Sequence, residues 1–204
     1  YRDIELYIST SMEIKNIKEY INLFSTFRNI KEFVPSWDMN KNFRFLENIQ
    51  KKFPHIKVEL MVNEGCIPAC PFRYIHNNWN NPKRNKEYEF FYSGKFFINN
   101  CTQLKDKNIF YYFCNSNIIY PWDIEEYSKI RINNFKLVGR NSNEFRSGEC
   151  IKFYEFYLKG IDNIKNIENI PIRYFNHYIF DSSYINYRVK DLKPYLPKIE
   201  HFKK

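Results

Sequence analysis

The chain has 204 residues and a formal net charge of +9, with 44% hydrophobic, 20% aromatic and 27% charged residues. This length and composition are typical of one globular domain. No apolar run approaches the roughly 18 residues that span a bilayer, which excludes a membrane-spanning helix.

Repeated strand–helix units are predicted along the chain, because short apolar runs alternate with longer amphipathic stretches. The predicted strands cover residues 5–10, 30–35, 56–63, 118–121 and 135–139. The predicted helices cover residues 14–24 and 42–53, a segment that starts at 122, and residues 142–159. Between the third and fourth strands the helical period is lost, so residues 66–114 form a long insertion.

The alternation predicts the α/β class, with a parallel sheet that forms part of a (β/α)8 TIM-like barrel over residues 1–160. The segment 161–204 is aromatic and interrupted by prolines, and we expect an irregular C-terminal extension there. About five units cannot close a barrel of eight strands. We therefore expect the chain to be a C-terminal fragment of the barrel, with further strands before Tyr1.

Four cysteines point to a metal centre in the insertion. Cys66 and Cys70 directly follow the third predicted strand, and ligands of parallel barrels bind where strands end. Cys101 and Cys114 lie in the same insertion, and four thiolates are what a [4Fe–4S] cluster or a structural zinc takes. The spacing does not distinguish iron–sulfur from zinc, and buried free thiols are the alternative. Cysteines without a signal peptide are typical of a reducing compartment, which predicts a cytoplasmic protein.

Several other side chains are candidates for substrate binding or catalysis. The cations Arg73, Lys136 and Arg140 can bind an anionic substrate, although ion pairs explain them equally well, with Asp123 or Glu64 as partner of Lys136 and Arg140. His76 can donate a hydrogen bond or a proton, or act as a ligand. Asp123 begins a predicted helix, where capping explains it as well as catalysis does. The absence of a P-loop, a G-x-S-x-G elbow and an H-E-x-x-H motif argues against the corresponding enzyme classes.

Nucleic acid is a further candidate partner, because the chain is basic. Its lysines are scattered, apart from short runs at 83–86 and 203–204. Scattered lysines are more typical of an ordinary exposed surface. RNA therefore stays a secondary hypothesis.

Three segments together resemble the collagenase-like peptidase (U-32) family, in its cysteine-rich branch. They are Asn63-Glu64-Gly65-Cys66 with Cys70-Pro71, Arg73 and His76, then residues 119–127, then residues 135–140. They occur in the family's order. The resemblance covers residues 3–160 and leaves the C-terminal segment unmatched.

The resemblance implies a β/α barrel that carries an iron–sulfur cluster, as in relatives that hydroxylate ubiquinone precursors or tRNA and rRNA bases without oxygen. Cys66, Cys70 and Cys101 match cluster cysteines of the family. Cys114 lies where the family has none, so the fourth ligand is Cys114 or a residue outside this chain. The implied substrate is a small anionic or RNA-linked molecule. The alternatives are a non-catalytic metal-stapled binding module or subunit of a larger protein, and a metal-independent peptidase.

Overall fold

The residues that the structure describes form an α/β structure around a parallel sheet, which confirms the predicted α/β class. The computed structural model describes residues 4–12, 14, 16–63, 68–70, 73 and 115–137. None of the helices in these ranges has the length and the apolar character that spanning a membrane requires.

The sheet has four strands in the order β1-β2-β3-β4. The strands are β1 (Leu6–Ile8), β2 (Ile30–Phe33), β3 (Lys57–Met61) and β4 (Asn134–Lys136). All three neighbouring pairs are parallel. Each strand lies beside the next one along the chain, so every connection steps in the same direction. Because such crossovers are right-handed, this order brings the connecting helices to one face of the sheet.

Helix α1 (Ile17–Thr26) connects β1 to β2 and begins at an asparagine cap. The Asn16 side chain accepts a hydrogen bond from the backbone N–H of Lys18 at 2.8 Å, which satisfies one of the free amides of the first turn. Tyr20 and Phe24 are buried on the face that packs on the sheet. The helix begins later than predicted because Asn16 caps it.

Helix α2 (Phe43–Lys52) connects β2 to β3 and has the same kind of start. The Asn42 side chain accepts a hydrogen bond from the backbone N–H of Phe45 at 3.0 Å. Leu46 and Ile49 are fully buried, at the spacing expected for a helix with one apolar face. Both bounds of α2 lie within the predicted helix.

One core, rich in aromatic side chains, joins the sheet to the helices. Phe33 of β2 lies 4.9 Å from Phe24 and 5.1 Å from Tyr20, measured between ring centroids. Tyr127 of helix α3 (Ile124–Lys129) packs against Phe43, with ring centroids 4.7 Å apart. Tilted and edge-on aromatic pairs at these distances add to the stabilisation from burial.

The strand predicted at residues 118–121 is wrong. Among the residues that the structure describes, 118–120 belong to no strand, and Pro121 begins a short 3-10 helix, Pro121–Asp123. Ile119 donates one backbone hydrogen bond to Val62 O at 2.8 Å. Burial of Ile118, Ile119 and Tyr120 explains the apolar run without a strand. The predicted helix at 142–159, the insertion apart from residues 68–70 and 73, and the extension at 161–204 lie outside the described residues.

The burial of Tyr20 predicts a loss of stability at alkaline pH. Burial raises the pKa of Tyr20 to about 12 from 10.0, and its hydroxyl donates to Ile14 O at 3.1 Å. A folded-state pKa above the unfolded value stabilises the fold below pH 10, and this contribution is lost as the pH rises towards 12. The loss amounts to about 2–3 kcal/mol at most.

Denaturant unfolding at a series of pH values measures this effect. The free energy of unfolding of the wild type is expected to fall more steeply above pH 10 than that of Tyr20→Phe, which has no hydroxyl to ionise at this position. Equal slopes in the two proteins would contradict the interpretation.

Candidate functional site

The carboxyl ends of the four parallel strands lie at one edge of the sheet, which we call the carboxyl edge. Asn40, which follows β2, connects several segments there. Its side-chain amide donates to Met61 O at 2.6 Å and to Asn117 O at 3.1 Å, and its backbone carbonyl accepts from the Tyr127 hydroxyl at 2.9 Å. Asn40 is fully buried. These contacts fix β3, the segment before α3 and α3 itself relative to one another.

Asp38 is the centre of a second group of polar contacts at this edge. It lies in the short 3-10 helix Trp37–Met39 that follows β2. Its Oδ2 atom lies 2.7 Å from Arg73 Nη1, which is an ion pair. Its Oδ1 atom accepts from the backbone N–H of Ala69 and from the side-chain amide of Asn117, each at 3.2 Å. Three segments that are distant in sequence therefore meet at one carboxylate.

Arg73 is buried in the structure, with its side chain only 4% exposed. Its guanidinium carbon lies 4.4 Å from the ring centroid of Trp37, a cation–π contact. The Asp38 carboxylate, 11% exposed, balances the buried positive charge. The sequence predicted Arg73 as a cation for an anionic substrate, and the structure gives it an ion-pair partner within the protein.

Cys70 lies in the loop that Asp38 contacts, and we call residues 68–70 and 73 the Cys70 loop. The thiol is half-buried and free. The carbonyl of Cys70 accepts a hydrogen bond from the backbone N–H of Arg73 at 3.2 Å. The residue before it, Ala69, has φ of 52°, in the left-handed region that non-glycine residues avoid. The Cys70 loop therefore has a defined backbone conformation. The hydrogen bond from Ala69 to Asp38 holds it against the carboxyl edge.

The remaining predicted cysteines and two further predicted site residues lie outside the described residues. They are Cys66, Cys101, Cys114, His76 and Arg140. Among the residues that are described, no group of three or more His, Cys, Asp or Glu side chains is placed to hold a metal ion. This part of the chain thus contributes one thiol, Cys70, to the predicted set of four.

Lys136 is the last residue of β4, and it pairs with the neighbouring strand. Its Nζ atom lies 3.1 Å from Glu59 Oε2 of β3. An ion pair with Asp123 or Glu64 was the alternative to substrate binding, and the observed partner is Glu59 instead. Because the Lys136 side chain is 44% exposed, this pair contributes little to stability.

Asp123 occupies the N-cap position of α3, but its side chain makes no capping hydrogen bond. The structure thus places Asp123 at the start of a helix, as predicted, but without a capping hydrogen bond from its side chain. Burial, with a smaller effect of the Asp123 carboxylate, raises the pKa of Tyr127 well above its ordinary value. The hydroxyl of Tyr127 thus stays protonated, as its hydrogen bond to Asn40 O requires.

Four residues of the carboxyl edge were not among the predicted site residues. They are Trp37, Asp38, Asn40 and Asn117. Three of them stand directly after the strand predicted at 30–35, and the polar residues of a β/α barrel site usually follow strands. That position in the sequence was the available signal. Asn117 has no comparable signal, because its role depends on a contact with Asp38 across 79 positions.

A shallow cleft of about 550 Å³ opens between the N-terminal ends of α1 and α2. Asn16 and Asn42, the two helix caps, lie in its wall, and their side-chain oxygens accept hydrogen bonds from the helices that they cap. Arg44 adds a positive charge to the lining. The cleft is open to solvent, and the side-chain oxygens of both cap residues already accept hydrogen bonds. The contacts around Asp38 are therefore the better-defined candidate site.

Comparisons of this chain with protein-family models, with curated proteins and with solved structures give no match. The contacts at the carboxyl edge, together with the cysteine spacing, are therefore the basis for a functional proposal.

Proposed function

We propose that the chain belongs to a (β/α)8-barrel protein that binds a [4Fe–4S] cluster and resembles the cysteine-rich branch of the collagenase-like peptidase (U-32) family. In this proposal it acts in the cytoplasm on a small anionic or RNA-linked substrate, in oxygen-independent chemistry of the hydroxylation type. The observation that carries the proposal is the attachment of the Cys70 loop to the carboxyl edge through Asp38.

The strand order supports the barrel. In a β/α barrel each strand pairs with the next along the chain, and all crossovers run in the same direction. The order β1-β2-β3-β4 with parallel pairing has this arrangement. A doubly wound sheet would instead reverse its direction at a switch point, which the four described strands do not do.

The position of the Cys70 loop supports a site at the carboxyl edge. In β/α barrels, ligands bind at the ends of the strands, where loops from several units meet. Asp38 follows β2, and the Cys70 loop follows β3, so two successive units meet at this edge. In this proposal, the thiolate of Cys70 acts there together with thiolates from the rest of the insertion.

Cys66, Cys70, Cys101 and Cys114 would hold the cluster in this proposal, with a residue outside the chain as the alternative to Cys114. A bound cluster would supply electron transfer. Substrate binding is then assigned to other polar groups of the insertion and of the strand ends. The candidates are His76, Lys136, Arg140 and Asp123. Arg73 is assigned to holding the Cys70 loop, because Asp38 already balances its charge.

Anaerobic purification of the chain tests the cofactor. The protein is expected to be brown, with a broad absorbance band at about 400 nm that comes from thiolate-bound iron. Cys70→Ser is expected to lose most of this band, because the hydroxyl of serine is a poorer ligand for iron than a thiolate. Cys150→Ser is the matched control, since Cys150 lies outside the insertion, in the segment 142–159 that is predicted to be a helix, and the band of this variant is expected to persist. A colourless wild-type protein would contradict the proposal.

The second candidate function is a non-catalytic binding module in which a metal ion only stabilises the fold of the insertion. The observation that favours it is the pairing of two predicted substrate cations with protein carboxylates, Arg73 with Asp38 and Lys136 with Glu59. A stapling site takes zinc as readily as iron. One equivalent of tightly held zinc in protein purified without chelator, with no iron, would favour this module over the enzyme.

A further inference from the structure

We propose that Asp38 is a positioning residue that holds the Cys70 loop in the conformation in which its thiol binds the metal centre. This inference rests on the proposed function, and it assigns a role to a residue that is not one of the predicted metal ligands.

On the N-terminal side, Asp38 fixes the residue that precedes Cys70. Its Oδ1 atom accepts the backbone N–H of Ala69 at 3.2 Å. Ala69 is in the left-handed region, with φ of 52°, which is unfavourable for a residue with a Cβ atom. A hydrogen bond to a carboxylate is stronger than one to a neutral acceptor and offsets this cost. The backbone that directs the Cys70 side chain thus depends on Asp38.

On the C-terminal side, Asp38 acts through Arg73. The ion pair of 2.7 Å and the packing of the guanidinium on Trp37, at 4.4 Å, fix the position of Arg73. The backbone N–H of Arg73 donates to Cys70 O at 3.2 Å. Asp38 therefore restrains Cys70 from both directions, once through a direct hydrogen bond to the loop and once through a buried cation.

Asp38 itself is held in place by the sheet and by a third segment. It belongs to the short helix Trp37–Met39 that follows β2, and its Oδ1 atom also accepts from the Asn117 side-chain amide at 3.2 Å. The neighbouring Asn40 is bound to β3 through Met61 O. The carboxylate is thus a fixed point at the carboxyl edge, and the Cys70 loop is attached to it.

Replacing Asp38 by asparagine removes this attachment with almost no change in size. A carboxamide has one acceptor oxygen and one NH2 group, whereas the carboxylate accepts through both oxygens. In either orientation, a donor of the new side chain faces Arg73 or Ala69, and the negative charge is lost. We therefore expect the Cys70 loop to open locally.

The test measures the reactivity of the Cys70 thiol in the full chain without metal. Serine replaces the other four cysteines, so that a maleimide reagent reports on Cys70 alone; the replaced residues are Cys66, Cys101, Cys114 and Cys150. In this background, Asp38→Asn is expected to raise the alkylation rate by about tenfold or more, because the half-buried thiol becomes accessible. Asp38→Glu, which keeps the charge, is expected to give a smaller rise.

Glu59→Gln is the matched control, since it removes a carboxylate from another ion pair of the sheet, that with Lys136. Its alkylation rate is expected to stay at the parent value. An unchanged rate in folded Asp38→Asn, or an equal rise in Glu59→Gln, would overturn the proposal. If Asp38→Asn does not fold, Arg73→Lys replaces it: this variant keeps the charge but loses the planar contact with Trp37. A rise there supports the proposal, and an unchanged rate overturns it.

Iron analysis of the same substitutions in the cysteine-complete chain separates this inference from the proposed function. If the wild type holds no iron, but Asp38→Asn still raises the alkylation rate of Cys70, the proposed function alone is contradicted. If the wild type and Asp38→Asn hold the same amount of iron, and the reactivity of Cys70 is unchanged by the substitution, this inference alone is contradicted.

Discussion

Replacing Asp38 by alanine is expected to lower the free energy of unfolding by about 3–5 kcal/mol, because it leaves the buried Arg73 guanidinium without its counter-charge. Arg73 is 4% exposed and lies 2.7 Å from the carboxylate. The substitution also removes the acceptor for Ala69 N–H and for the Asn117 amide. Urea unfolding followed by circular dichroism measures the change.

The double variant Asp38→Ala, Arg73→Met distinguishes a lost ion pair from a general disturbance of the edge. Methionine removes the unpaired charge and can keep an apolar contact with the Trp37 ring. We expect the double variant to be more stable than Asp38→Ala alone, because both members of the buried pair are then gone. If the losses of unfolding free energy in Asp38→Ala and in Arg73→Met add up to the loss in the double variant, a direct interaction between the two side chains is contradicted.

Replacing Phe33 by alanine is expected to lower the free energy of unfolding by about 3–5 kcal/mol, since it opens a cavity in the middle of the core. Phe33 is fully buried in β2, and its ring contacts Phe24 and Tyr20 of α1. The substitution therefore removes both transfer free energy and the aromatic contacts that join the helix to the sheet.

Phe27→Ala is the control for this experiment, because it makes the same chemical change at a ring that is 46% exposed. Phe27 ends α1 through its backbone N–H, which the substitution leaves intact. We expect a loss of about 1 kcal/mol or less at this position. A loss at Phe27 as large as that at Phe33 would contradict the location of the core.

The regular elements could largely be predicted from the sequence, because each is set by local patterns. The apolar spacing of α2 and its asparagine cap are both visible in the chain, and the predicted range contains the observed helix. The alternation of β3 likewise predicted a strand over residues that include the observed one. Residues 118–120 were mistaken for a strand because full burial and strand pairing give the same apolar run.

The polar contacts at the carboxyl edge could not be predicted in the same way, because they join residues far apart in the chain. Asp38 contacts Ala69 across 31 positions and Asn117 across 79. Nothing local distinguishes Asp38 from any other polar residue after a strand. The local motif around Cys70 could be recognised, but its attachment to the sheet depends on packing that only the structure shows.

We propose that thiolates of the insertion meet at the carboxyl edge around a [4Fe–4S] cluster. Elemental analysis of anaerobically purified chain tests it most directly, with iron, acid-labile sulfide and zinc measured against protein concentration. About four iron and about four sulfide per chain are expected in the wild type, and much less of both in Cys70→Ser. A chain that holds neither iron nor sulfide, or that holds zinc alone, would contradict the proposed cluster.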